Sequence, residues 1–284
     1  MNDRSANTLP LERTAAPPPL RPGRPLSDGL VLTRRNLVHA VREPAESIIG
    51  LVMPMVIALL FGYVFGEAMA PDGDAEAFRA FVMPGIFVMV MINSVAATAS
   101  GVADDTRTAV MGRFRSMPMA SSALLTGRAA ADMLKALAEL AILLGCGLLI
   151  GWRWEEGPVS GALALALLLL FRFAMVWVGI YLGLLTRDPQ LAGVIVYPLA
   201  FPLSVLSTTF IDPALMPGPL GAVAEWSPIS AAVDASRELF GNPGLSGGDS
   251  WGAENPVPAA VLWSAAILLL AVPASVRRFR SLRD

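Results

Sequence analysis

The side chains that could do covalent chemistry are few and poorly placed for it. His39 is the single histidine and Cys146 the single cysteine of 284 residues. Neither has a partner for a metal site, and no intrachain disulfide can form. His39 reads as a surface imidazole, and Cys146, inside an apolar run, as a small core residue. Lys135 is the single lysine, and no G-x-x-x-x-G-K-[ST] phosphate loop, G-x-S-x-G elbow or H-E-x-x-H helix is present. The acidic pairs Asp104-Asp105 and Glu155-Glu156 stand at the ends of apolar runs, the ordinary place for solvated carboxylates. Two features remain. Arg172 and Glu139 are charges set within apolar runs, where charge is costly and marks function by default. The segment Gly112–Arg128 (GRFRSMPMASSALLTGR) packs Arg113, Arg115 and Arg128 around Phe114 and Pro118. The chain reads as a non-enzyme.

The elements that carry these residues are set by composition. The chain is 55% hydrophobic and 15% charged, with mean hydropathy +0.59, against about 25% charged residues in soluble domains. Residues 1–26 are a proline-rich tail with nothing to bury, expected to be disordered and cytoplasmic. Six later segments approach the roughly 20 apolar residues that cross a bilayer as a helix. They lie at about 47–66, 81–103, 134–151, 161–185, 189–211 and 257–276. The expected fold is an all-α polytopic membrane protein, with residues 27–284 as its transmembrane domain. Arg34, Arg35, Arg42, Arg107, Arg113, Arg115, Arg128, Arg187, Arg277, Arg278, Arg280 and Arg283 fall on one side of these spans, and Arg79, Arg153 and Arg237 on the other. The richer side is the cytoplasmic one. Both termini and the arginine-rich segment therefore face the cytoplasm of a multi-pass protein in the cytoplasmic membrane.

Three segments do not span. Residues 27–46 place Leu30, Leu37, Val38 and Val41 on one helical face and Arg34, Arg35 and Arg42 towards the other. That is an amphipathic interfacial helix, ended by Pro44, lying against membrane lipids. After Asp104-Asp105, Val110, Met111, Phe114 and Met117 form one helical stripe, rimmed by Arg107, Arg113 and Arg115 and stopped by Pro118. Ser121 or Ser122 then caps a helix that runs into the third span. The charge of this loop would suit a topology signal alone; its apolar stripe asks for lipid or protein. Residues 212–256 are too polar to span and too apolar for a solvated loop. Two short helices, about Pro213–Glu225 and Pro228–Phe240, fit as a re-entrant hairpin between spans five and six, followed by a glycine-rich tail.

Arg172 falls about 16 Å into its span. Glu139 on the neighbouring span is a candidate partner, although the expected span boundaries put their depths about 10 Å apart on the same rise per residue. A structural pair or subunit contact and a cargo-facing charge both remain open. Gly62-x-x-x-Gly66 and Gly179-x-x-x-Gly183 have the small-residue spacing that permits close helix contact.

In this order of segments the chain resembles the ABC-2 type permease family, and within it the daunorubicin-resistance-like branch of drug and lipid exporters. Thr108–Pro118 (TAVMGRFRSMP) looks like that branch's loop after the second span, Trp177–Pro189 (WVGIYLGLLTRDP) like its fourth-span exit, and Ser207–Arg237 like its extracellular hairpin. The resemblance covers roughly residues 28–280, with Arg172 and Pro219 as departures. It implies that two permease subunits pair, as a homodimer or heterodimer, and that each docks a separate cytoplasmic ABC ATPase, two ATPase copies in all. ATP and magnesium would sit on the ATPases and no cofactor on this chain; nucleic acid is not a partner. The loop would be a coupling helix, with Met111 and Phe114 filling a cleft of the ATPase, Arg113 and Arg115 giving register, and Pro118 ending the knob. Phe61, Phe65, Phe201, Phe210 and Trp226 are the candidate lining of an outward path for hydrophobic drugs or lipids. Each suits equally an ordinary packing or lipid-facing role. The alternatives are a glycan exporter of the same superfamily and an ATP-independent secondary carrier. Coupling acids and internal repeats would mark the carrier; no repeat is visible, and no acid is expected deep in a span.

Overall fold

The computed structural model describes residues 45–65, 74–107, 121–186, 188–242 and 250–282. The tail, most of the interfacial helix and the loop with its five coupling residues lie outside them. Every regular element among the described residues is helical. Helix α1 (Ala45–Leu59) widens into a π-helical turn, Leu60–Phe65. It is followed by α2 (Ala75–Arg107), α3 (Ser121–Ile150), α4 (Gly157–Thr186) and α5 (Pro189–Val205). A 3-10 turn (Pro213–Leu215), α6 (Gly218–Glu225) and α7 (Pro228–Phe240) form the hairpin. Short α8 (Trp251–Glu254) leads into α9 (Pro256–Ser281).

Four of these helices, α2, α3 from Leu125, α4 and α9, are long and apolar enough to cross a membrane, and α1 contributes a shorter apolar stretch, Leu51–Val64. Polarity is distributed as a bilayer requires. Leu149, Leu269, Leu270 and Val194 are exposed, whereas Thr98, Asp132, Arg172 and Arg237 are buried. In water so much exposed oil would drive association; against lipid it is the ordinary outer surface, with charge turned inward. The protein is thus a multi-pass membrane protein.

α5 departs from the expected fifth segment. Its 17 residues rise about 26 Å, short of the roughly 30 Å hydrocarbon core. Asp188 caps its start through the Gln190 amide, and Pro198 and Pro202 interrupt it. After Val205 the backbone turns, and Ser207 donates to the Ser204 carbonyl at 2.6 Å. α3 starts at Ser121, where the sequence places a helix running into the third span, and its membrane-crossing part begins at Leu125 rather than at residue 134. Arg128, Asp132, Lys135 and Glu139 dilute its apolar signal, yet most of that charge is matched inside the bundle.

α2 is the central post, packed against α4 and α5 along its length and against α1 and α7. Gly179 and Gly183 set its distance from α4. A Cβ at Gly179 would lie 2.8 Å from the Val95 carbonyl oxygen, and one at Gly183 2.5 Å from that of Ala99. The small-residue spacing therefore seats one backbone directly on another. The α3–α4 turn is pinned to the hairpin by Trp152, buried edge-on against Phe87 and Phe240. Its indole N–H donates to Asn242 Oδ1 at 2.9 Å, and Asn242 Nδ2 donates to the Arg153 carbonyl at 3.0 Å.

Candidate functional site

The loop 108–120 joins α2 to α3, so the described ends of those helices show what it would move. A buried polar cluster ties them together. Thr98 of α2 donates to Asp132 Oδ2 of α3 at 2.9 Å, and Arg128 Nε donates to the same oxygen at 3.3 Å. Arg128 Nη1 also lies 3.8 Å from Asp105 Oδ2. The guanidinium lies across Gly101, where a Cβ would overlap it. One arginine thus bridges carboxylates on both helices, and glycine provides its seat. Asp132 is buried and falls inside the candidate span, which begins at Leu125 rather than at residue 134.

Arg172 and Glu139 also meet, because both lie at similar distances from the same turn. α3 and α4 run antiparallel, so Glu139 lies about 16 Å from Ile150 and Arg172 about 22 Å from Gly157. The arginine stem spans the remaining difference. Arg172 Nη2 is 3.1 Å from Glu139 Oε2, and Nη1 donates to the Val90 carbonyl of α2 at 3.1 Å. Arg172 is buried at 4% exposure and knits three helices. Within this chain the two form an ion pair.

At the hairpin end a second buried arginine does the same work. Arg237 is completely buried. Its Nε donates to the Phe81 carbonyl at 3.0 Å, Nη2 to the Thr209 carbonyl at 3.2 Å and Nη1 to Asp234 Oδ1 at 2.9 Å. The guanidinium carbon sits 3.9 Å over the Phe81 ring. The hairpin is therefore anchored to the start of α2 by the hydrogen bond and the cation–π contact at Phe81, and to the turns after α5 by the hydrogen bond to Thr209, while the ion pair with Asp234 lies within α7. Burial pulls the Arg237 pKa down to about 10 while Asp234 holds it up. Burial likewise raises that of Asp234, against the pull of Arg237 and of a Thr208 hydrogen bond. Sequence reasoning counted Arg237 as a topology charge and passed over Asp234. Their spacing of three residues on a capped helix was the available signal.

Of the five candidate path residues, two meet. Phe61 and Phe210 meet at 4.9 Å between ring centroids, tilted by 32°, and Phe78 stacks on Phe61 at 6.5 Å. Both Phe61 and Phe210 pack against the main core. Trp226 ends α6 at 61% exposure, beside a different space. Phe65 falls in the π-helical turn and Phe201 in α5; their side chains lie outside the described ones. Met111, Arg113, Phe114, Arg115 and Pro118 fall in the undescribed loop. Among the described residues no cluster of metal-ligating side chains occurs.

These features belong to a packed helical membrane scaffold, and comparison with known proteins gives its family. Residues 29–240 match the family model described as ABC-2 type transporter. The chain is 30% identical over 226 residues to the daunorubicin resistance ABC transporter permease protein DrrB1 of Streptomyces coeruleorubidus, covering 78% of each chain. Permeases of this family are non-catalytic membrane subunits that work with a cytoplasmic ATPase in ABC transporters. Matched over most of its length, this chain belongs to the ABC-2 type transporter permease family.

Proposed function

We propose that the protein is half of the membrane channel of an ATP-driven exporter that moves hydrophobic or amphiphilic molecules outward across the cytoplasmic membrane. Two such subunits pair, each crossing the membrane six times with both termini inside, and each seats one cytoplasmic ATPase that carries ATP and magnesium. α5 contributes the fifth crossing together with the turns that follow it. Met111 and Phe114 fill the cleft of the ATPase, Arg113 and Arg115 set the register, and Pro118 ends the knob.

The observation that supports this reading best is the mechanical continuity behind the loop. Arg128 and Asp132 lock the ends of α2 and α3, and Gly179 and Gly183 key α2 to α4. A push on the loop is then delivered to a rigid group of helices. Phe61, Phe78 and Phe210 offer apolar aromatic surface suited to an amphiphile. That surface favours a drug or lipid over a glycan, in keeping with the drug-resistance name of the relative. A proton-coupled carrier needs carboxylates that load and release protons. Asp132 and Glu139 each face an arginine instead.

Co-expression with the ATPase tests the docking. Phe114→Ala or Arg113→Glu is expected to abolish co-purification while the permease stays folded. Unchanged co-purification of both variants contradicts the assigned docking surface.

A further inference from the structure

A cavity of about 580 Å³ opens at the hairpin end, between the 3-10 turn, α6, α7, α8 and α9. Drug-sized ligands occupy clefts of about 300–1,000 Å³. Three indoles line it: Trp226 from α6, Trp251 from α8 and Trp263 from α9, exposed at 61%, 50% and 37%. Three half-exposed tryptophans converging from three helices on one hollow are a large apolar surface that nothing among the described residues covers. The polar part of the wall is acidic. Asp212, Glu225 and Asp234 line the same space, and no lysine or arginine is among the described residues that do.

The carboxylates are held in position. Asp212 accepts from the Ala214 amide at 2.9 Å, Glu225 from the Ser250 amide at 3.1 Å and Asp234 from Arg237 at 2.9 Å. Arg237 offsets Asp234, so Asp212 and Glu225 supply the charge of the wall that no side-chain cation among the described residues balances. Indole faces carry negative quadrupole and attract cations. Aromatic walls and unbalanced carboxylates thus select the same sign. A neutral sugar would need donors as well as acceptors, and the charged side chains here only accept.

We propose that this cavity binds an organic cation with an apolar body, the indoles taking the body and Asp212 and Glu225 the charge. The proposal deepens the export reading by naming the class of cargo, and it places a binding site where the cargo leaves the helices.

The test is equilibrium dialysis of radiolabelled tetraphenylphosphonium against the full-length protein in octaethylene glycol monododecyl ether micelles, with no ATPase present. Saturable binding of one cation per chain is expected. Asp212→Asn with Glu225→Gln should weaken it at least tenfold, and Trp263→Ala at least fivefold, in variants that remain monodisperse. Tetraphenylborate, the same shape with opposite charge, should not compete. Retention no greater than in empty micelles overturns the proposal, as it would if a second copy of the chain covered the cavity. Displacement of the cation by tetraphenylborate or by maltohexaose overturns it without any variant. Because no ATPase enters this assay, failure here with intact ATPase docking removes the cation site alone. Binding here without ATPase docking removes the ATP-driven reading alone.

Discussion

Arg172 of α4 and Glu139 of α3 meet at 3.1 Å in the middle of the helix bundle, with the Val90 carbonyl of α2 as the arginine's second acceptor. Removing one partner strands a buried charge, which costs about 3–5 kcal/mol, whereas replacing both with apolar residues is often neutral. Arg172→Leu should therefore sharply lower the thermal stability of the detergent-solubilised protein. Arg172→Leu with Glu139→Leu should recover most of the loss. A double variant no more stable than the single one contradicts a purely structural pair.

The seat of α4 on α2 is set by backbone, which cannot swing aside. Gly183→Val would drive its Cβ into the Ala99 carbonyl oxygen at 2.5 Å. Loss of folded protein is expected, read as monodisperse yield on size exclusion. Gly145 is the control, because a Cβ there meets nothing within 4 Å. Gly145→Ala should be neutral or stabilising by about 0.5–1 kcal/mol, since it removes a flexible residue from a helix interior. Equal tolerance of both substitutions would show that the α2–α4 contact is not this close.

Asp132 separates attachment from transmission. Asp132→Ala leaves Thr98 and Arg128 without their shared acceptor, at a cost of about 1–3 kcal/mol. The docking knob itself is untouched. Co-purification with the ATPase should persist while cargo-stimulated ATP hydrolysis falls severalfold. If hydrolysis keeps its full response to cargo, the cluster does not carry the movement.

The hairpin gives a pH dependence whose sign follows from burial. The Asp234 carboxyl lies above its ordinary 3.8, so the folded protein holds that proton more tightly than the unfolded chain does. The stability it contributes is complete below about pH 3.8 and is lost as pH rises through the folded pKa. The difference in melting temperature between wild type and Asp234→Asn should accordingly become less favourable to the wild type from pH 3.5 to pH 7. A difference that stays flat, or that favours the wild type increasingly with pH, contradicts this.

α7 was readable because its signals are local. The Ser227 hydroxyl caps the Ile229 amide, Pro228 stands at the first helical position, and Gly241 closes the helix in the left-handed region at φ 71°. Each is a short-range choice that the residues announce. The start of α3 was readable in the same way, from Ser121 and Ser122 after Pro118; the start of its apolar span and the end of α5 were not, because hydropathy scores charge as solvent-seeking and uncharged residues as lipid-seeking. In α3 the charges turn inward to Thr98, Asp105 and Arg172. Ser204 in the last turn of α5, and Ser207, Thr208 and Thr209 in the turns after it, are uncharged yet buried. The anchors at Arg172 and Arg237 depend on carbonyls of α2 far away in sequence, a relationship no periodicity encodes. Arg172 still stood out as a costly charge, whereas Arg237, in a polar stretch, did not. The tryptophan-lined cavity is of the same kind: its three indoles come from helices separated by turns, and only Trp226 was singled out beforehand.

The central claim is that this subunit moves cargo only when a separate ATPase drives it. Proteoliposomes test it directly. The permease is reconstituted with or without its ATPase, and extrusion of a fluorescent amphiphile is followed after adding ATP or imposing a proton gradient. The account predicts extrusion with ATPase and ATP together, and none from the permease alone under any proton gradient. Extrusion by the permease alone, powered by the gradient, would contradict it.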